Sequence, residues 1–313
     1  MPIHIIPITR RRFLRVSASG AVVAITAPAV RSASDEEFSV DPHRFVFLSD
    51  THIMADPTAE ARGINMASHL RKVVSEIVVQ ASRAAGVIVN GDLATDGSLP
   101  TLGAYRYLAQ ILDPLSKQGM PIHFTMGNCD RRVLFKEALT EMLPDTPPIA
   151  GRFVNMIETE RANFFLLDSL LNTEKTVTEG SLGMKQIEWL QRAIDQHSNK
   201  PGIVICHHNI NLPTNLGGTQ VSGLRDGAVL LDVLRSRNCV KAFVFGHTHE
   251  WRNWEVDGIH FINLPTTAYI FSPDEPCGWV NVRLEKQGMS LMLKSLDKAH
   301  PKHEKNLTLF WRK

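Results

Sequence analysis

The sequence predicts a layered α/β protein, and three observations carry that expectation. From Phe45 onward, short apolar runs alternate with helical patterns. Five of the runs end in a carboxylate, an amide or an imidazole. After Trp251 the helical patterns stop and short apolar runs follow one another directly.

The five runs are RFVFLSD (Arg44 to Asp50), GVIVNGD (Gly86 to Asp92), MPIHFTMGN (Met120 to Asn128), GIVICHH (Gly202 to His208) and VKAFVFGH (Val240 to His247). Their near-continuous apolar character predicts strands buried on both faces, as in a parallel sheet. Between them, Ile64 to Ala84, Leu99 to Lys117 and Met184 to His197 carry apolar residues at three- and four-residue intervals and are predicted helices. Gly86 is expected just beyond the first helix, as its stop. WRNWEV, IHFINL, GWVNVRL and MSLMLKSL are predicted to form antiparallel strands and hairpins. No repeat, low-complexity tract or linker divides residues 41–300, which predicts one domain there and a C-terminal tail over residues 301–313.

Composition narrows the function. The 313 residues are 43% hydrophobic and 21% charged, with a net charge of +2, so the basic excess of a nucleic-acid binder is missing and no nucleic-acid partner is expected. Cys129, Cys206, Cys239 and Cys277 form no C-x-x-C pair, which argues against a structural zinc site. A disulfide between Cys129 and Cys206 is disfavoured, because strand alternation turns Cys206 away from the side that His207 faces. Cys239 and Cys277 read as small buried apolar groups.

Residues 1–30 read as a targeting segment. TRRRFLR (Thr9 to Arg15) precedes VSASGAVVAITAPAV, an apolar run too short for a comfortable bilayer span. The pair resembles a twin-arginine signal peptide, with Ala27-Pro28-Ala29 as a cleavage site. That resemblance implies the twin-arginine translocase as a transient partner, a periplasmic or secreted mature protein, and no stable membrane anchor.

The strand ends carry the chemistry. They offer Asp50 and His52, then Asp92, then Asn128, then His207 and His208, then His247 and His249. Residues at i and i+2 of an extended segment point the same way, so Asp50 with His52, and His247 with His249, are each expected to present two ligands to one site. Mixed carboxylate, imidazole and amide donors suit Mn, Fe, Zn or Co. The carboxyl ends of parallel strands are where open α/β sheets place their sites.

The series Asp50-Thr51-His52, Gly91-Asp92-Leu93, Gly127-Asn128-Cys129-Asp130, His207-His208 and Gly246-His247-Thr248-His249 resembles the five-block pattern of the calcineurin-like metallophosphoesterase superfamily, over roughly Phe45 to Val282. The resemblance implies a four-layer α-β-β-α sandwich of two mixed sheets with two metal ions, Mn or an Fe/Mn pair foremost, Zn or Co as alternatives. Asp50, His52, Asp92 and His249 would hold one ion, and Asp92, Asn128, His207 and His247 the other, with Asp92 bridging. A hydroxide shared by the metals would then attack a phosphoric ester.

Cys129 departs from the pattern, because most of the superfamily has histidine there to assist the leaving oxygen. A neutral thiol is a weak donor, which favours a small-molecule phosphodiester over an alkyl monoester. GDLATDGSLPTLGAYRYLAQIL and GSLGMKQIEWLQRAI add likeness to bacterial cyclic-nucleotide and glycerophosphodiester phosphodiesterases. A phosphomonoesterase or nucleotide pyrophosphatase, and a non-catalytic scaffold, are the alternatives, and an oligomer is left open. Asp130 is a candidate to orient its loop and His208 to contact substrate or pack. Arg131 and Arg132 are candidates for a phosphate contact or for a solvated helix face. Asn209, Asn211 and Arg225, in the long loop before the last block, are candidate substrate contacts.

Overall fold

The computed structural model describes residues 39–97, 99–143, 147–171, 178–212, 216 and 221–313. The twin-arginine pattern of residues 1–30 lies outside them. Among the described residues no helix is long and apolar enough to cross a membrane.

Two six-stranded mixed sheets organise the chain. In the first, β1 (Val40–Ser49), β2 (Arg83–Asn90) and β3 (Ile122–Thr125) run parallel, and β10 (Gly278–Glu285), β11 (Gly288–Ser295) and β12 (Asn306–Phe310) continue antiparallel from β1. In the second, β5 (Asn163–Leu166), β6 (Gly202–Ile205), β7 (Val240–Phe245) and β9 (Ile259–Asn263) run parallel, flanked by antiparallel β4 (Asn155–Glu158) and β8 (Arg252–Val256).

Three apolar cores separate four layers. Helices α1 (Met66–Val78), α2 (Leu102–Lys117) and α3 (Arg132–Leu139) cover one face of the first sheet through Leu70, Val73, Leu108, Leu112 and Phe135 against Val46, Val87 and Val89. Helices α4 (Met184–Gln196) and α5 (Gly227–Arg235) cover the second sheet through Ile187, Leu190, Leu230 and Leu234 against Val204, Phe243 and Phe245. Between the sheets, Phe45, Phe47 and Ile88 meet Phe164, Ile203, Ile205 and Val244. Period 2 puts alternate residues of β1 into different cores: Val46 and Leu48 face helices, Phe45 and Phe47 face the other sheet. This double burial is why the strands read as continuous apolar runs.

Four expectations are corrected. The predicted helix Ile64 to Ala84 ends at Val78, and Gly86 lies inside β2 directly opposite Phe45 rather than at a helix stop. A Cβ at Gly86 would stand 3.1 Å from the Phe45 ring, so the glycine makes room for an aromatic neighbour in the sheet. In the C-terminal region β9 pairs parallel with β7, because the hairpin after β7 folds its second strand back beside β7. The segment set apart as a tail supplies β12, which pairs with β11 from Gly288↔Phe310 to Met292↔Asn306 and buries Leu309 between the sheets. The fourth concerns the cysteines' surroundings: all are free thiols, and Cys239 and Cys277 are half-buried rather than fully buried. Cys206 packs on the helix side of the second sheet, as alternation predicts.

The inter-sheet core centres on Phe164, whose ring lies 4.8 Å from that of Phe45 and 6.0 Å from that of Phe47. Phe164→Ala is expected to lower stability by about 3–5 kcal/mol, read as a fall in the urea midpoint at unchanged slope.

Candidate metal centre

The five motif blocks meet where β1, β2, β3, β6 and β7 end. Each strand stops short of its polar residues: β1 at Ser49, β2 at Asn90, β7 at Phe245. Beyond those points the backbone turns left-handed at Asp50 (φ 53°), His52 (46°), Asp92 (46°), His247 (70°) and His249 (57°). The expected i, i+2 geometry of an extended strand is therefore corrected. Asp50 with His52, and His247 with His249, reach one site because each residue turns the chain. Such conformations cost a non-glycine residue about 1–2 kcal/mol each, although Asp, Asn and His tolerate them best. They are held by pairing that outlasts the strands: His52 N–H donates to Asp92 O at 2.9 Å and Ile53 N–H to Leu93 O at 3.1 Å.

The side chains converge tightly. Asp50 Oδ1 lies 3.3 Å from His249 Nε2, 3.8 Å from His207 Nε2 and 4.0 Å from His52 Nε2. Asp92 Oδ2 lies 3.5 Å from His207 Nε2 and 3.7 Å from His52 Nε2, between the two halves of the cluster. His52 Nε2 and His249 Nε2 are 3.2 Å apart. Two nitrogens bonded to one ion at about 2.0–2.1 Å would be separated by roughly that distance.

Backbone carbonyls set the tautomers. His207 Nδ1 donates to Asn90 O at 3.0 Å, His249 Nδ1 to Tyr269 O at 2.5 Å, and His247 Nε2 to Ser222 O at 2.8 Å. A carbonyl only accepts, so in the neutral ring each opposite nitrogen carries the lone pair a ligand needs, and an ion at His207 would take the place of the Nε2 proton that Asp92 and Asp50 favour there. Asp50 Oδ2 accepts from Ser49 Oγ at 2.6 Å, which leaves Oδ1 free.

These residues fit a pair of cations on their own chemistry. Among the described residues, Asp50 Oδ1, Asn128 Oδ1 and His207 Nε2 are buried without a hydrogen-bond partner, a costly state for polar atoms unless something binds them. Donor atoms of Asp50, His52 and His249 form one compact group, and those of Asp50, Asp92 and His207 another. Burial opposes ionisation of Asp50, yet the imidazoles of His207 and His249 hold its pKa down at about 2. Burial likewise opposes a charge on His207, but Asp92 and Asp50 draw its pKa up to about 10. Burial lowers His52 and His247 to about 4, which keeps these imidazoles neutral as ligands must be.

The remaining candidates divide. His208 joins His207 and His247 in a further donor group. The Ser169 hydroxyl donates to Met126 O at 3.2 Å, so His208 Nδ1 donates to Ser169 Oγ at 2.8 Å, and Nε2 is left buried without a partner among the described residues. The Cys129 thiol lies in one donor group with His52 and Asp92, and burial together with the charges of Asp92 and Asp130 pushes its pKa up.

Asp130 accepts from Leu93 N at 3.0 Å, Gly127 N at 2.8 Å and Tyr105 OH at 3.0 Å, clamping the Asp92 and Asn128 loops together. Arg132 is not at the cluster: it forms a bidentate pair with buried Asp168 at 2.6 and 2.7 Å. Its expectation of a phosphate contact or a solvated face is thus corrected, since burial of Asp168 demands a partner. Arg225 binds Glu179 at 2.6 Å, and Asn209 Nδ2 donates to Asn211 Oδ1 at 3.0 Å, so both serve the loop. Sequence reasoning missed Tyr105 and Tyr269. A hydroxyl on the otherwise apolar face of α2 was the available signal for Tyr105, because a buried Tyr O–H needs a partner.

Gly127 is where the loops come closest. A Cβ there would stand 2.2 Å from Asp92 Oδ1 and 2.4 Å from the Asp92 backbone nitrogen. Gly127→Ala should therefore displace Asp92, and purified protein should retain less than one of the about two ions per chain expected of the wild type by emission spectrometry. Asp130→Ala, which strands three buried donors, should weaken metal binding about tenfold to a hundredfold in a competitive chelator titration.

Similarity to known proteins agrees with this geometry. Residues 43–251 match the calcineurin-like phosphoesterase family. The chain is 28% identical over 250 residues to the Haemophilus influenzae 3′,5′-cyclic adenosine monophosphate phosphodiesterase CpdA, covering 77% of this chain and 85% of that protein. It is 27% identical over 230 residues to the protein of the same name from Pseudomonas aeruginosa, covering 73% and 77%. Among solved structures, a dimetal phosphatase from Danio rerio superposes with a TM-score of 0.66 at 16% identity, covering 87% of this chain and all of that one (100%). PhoD superposes with a TM-score of 0.57 at 13% identity, covering 85% and 68%. With its two mixed sheets, its helix layers and a buried Asp/His cluster at the strand ends, the chain belongs to the calcineurin-like phosphoesterases, hydrolases of phosphoric esters.

Proposed function

We propose that this phosphoesterase is a phosphodiesterase acting on small-molecule phosphodiesters, with nucleoside 3′,5′-cyclic phosphates as the natural class. The single observation that carries the diesterase reading is Cys129, a neutral, half-buried thiol beside Asp92 and His52 at the place where the superfamily pattern has a histidine. A thiol is a poor proton donor to a leaving oxygen. The names of the Haemophilus and Pseudomonas relatives support the cyclic-nucleotide class.

Asp50, His52, Asp92 and His249 would hold one metal ion and Asp92, Asn128, His207 and His247 the second, with Mn or an Fe/Mn pair as our assignment. Bound there, two ions supply the Lewis acidity that activates water and stabilises charge during in-line displacement. The chain's own contribution is placement. Asn90 and Tyr269 carbonyls aim His207 and His249 through their Nδ1 protons. Asp130 fixes the loops of Asp92 and Asn128. Cys129 N–H donates to Asp92 Oδ1 at 2.8 Å, leaving Oδ2 to the imidazoles. His208, anchored through Nδ1, keeps an unprotonated Nε2 as a further donor atom beside His207 and His247, and burial together with those two imidazoles holds its pKa well below the ordinary value. The pattern Thr9 to Arg15 supports export by the twin-arginine route to the periplasm.

The test is hydrolysis of bis(p-nitrophenyl) phosphate and p-nitrophenyl phosphate by manganese-reloaded protein and its Cys129→His variant. The wild type should cleave mainly the diester, and the variant should gain monoesterase activity by about 10²-fold, the usual contribution of a positioned general acid. A wild type that prefers the monoester would overturn the diesterase reading.

A further inference from the structure

Arg62 belongs to no ligand set, yet its guanidinium lies 4.9 Å from the ring centroid of Phe271 and 5.8 Å from that of Tyr269. A rigid support holds it there. Ala61 and Ile64 exchange two backbone hydrogen bonds of 3.0 Å, and the residues between them, Arg62 and Gly63, have φ of 52° and 74°. Left-handed backbone at both central positions makes a tight turn of the type that favours Asn or Gly, so an arginine at the first of them is strained. Strain of that kind persists where function gains from it. Among the described residues no carboxylate pairs with Arg62.

The two rings beneath it lead straight to the metal cluster. Tyr269 stacks on His52 with centroids 5.2 Å apart at 26°, and Phe271 stacks on His249 at 4.3 Å and 20°. Phe271 is 54% exposed, a large apolar ring facing solvent one imidazole away from the candidate metal site. An exposed ring alone would suit a quaternary ammonium. The guanidinium beside this ring repels such a group, while offering a planar face and hydrogen-bond donors to an uncharged heteroaromatic ring.

We propose that Arg62 and Phe271 form a specificity rim that stacks the base of a nucleoside phosphodiester and turns away diesters with cationic headgroups. The proposal rests on the phosphodiesterase reading above and deepens it by assigning the residues that choose among diesters. Neither residue is among the candidate metal-binding donors, so both are assigned to substrate choice.

The experiment compares wild type, Phe271→Ala and Arg62→Ala, all manganese-loaded, on three diesters. These are 3′,5′-cyclic AMP, glycerophosphoglycerol, which has neither ring nor cation, and glycerophosphocholine. Both variants should lower the kcat/KM ratio of cyclic AMP to glycerophosphoglycerol about tenfold, mainly through KM, as loss of one base–aromatic stack would. Arg62→Ala should also raise the ratio of glycerophosphocholine to glycerophosphoglycerol by at least about threefold. Equal losses on all three substrates, a change confined to kcat, or loss of bound metal from the variants would overturn the rim and leave the diesterase reading standing. A wild type that turns over none of the three would overturn both.

Discussion

Asp50 and Asp92 are buried carboxylates that share the same imidazole, with His207 Nε2 within 3.8 and 3.5 Å of one oxygen from each. Two like charges this close in a dry interior need positive charge between them, and the rest of the structure is arranged around supplying it. Five strands from two sheets end at one place so that imidazoles and an amide oxygen surround the pair. The inter-sheet core of Phe45, Phe47 and Phe164 sets the separation of those sheets, and so the spacing of ligands contributed by β1 and β2 against those from β6 and β7. Packing far from the chemistry thereby fixes the chemistry's geometry.

Much of this was legible in the sequence because two strong signals coincide. Strands buried on both faces must be apolar throughout, and a polar residue at the end of each is then conspicuous. Gly86 misled because a glycine reads locally as a helix stop, whereas its reason is a ring on the neighbouring strand, which only pairing reveals. β12 was illegible for a related cause: NLTLF is only five residues long, buries Leu309 while Phe310 faces solvent, and becomes a strand only by adding to the open edge of β11.

At the site, the residue types were legible and their geometry was not. Alternation along a strand predicted shared ligands at i and i+2, and the ligands do converge, but through left-handed turns that periodicity cannot express. Partners at long range were hidden for the same reason. Arg132 looked like a surface or phosphate-binding cation until Asp168, buried at the end of β5, claimed it. Asp130 followed an obvious motif, yet its work is to accept three hydrogen bonds from two loops and a helix. Such roles follow from which donors are stranded without them.

The left-handed backbone at Asp50, His52, Asp92, His247 and His249 has an evolutionary consequence. Aspartate and histidine are both good metal ligands and among the few side chains that accept this conformation, so one choice of residue answers two demands. β-Branched replacements would fail on the backbone before the loss of a donor mattered. Glycine would relax every one of these turns, so a chain drifting toward greater stability would drift away from metal. At these five positions metal binding and backbone stability therefore favour different residues.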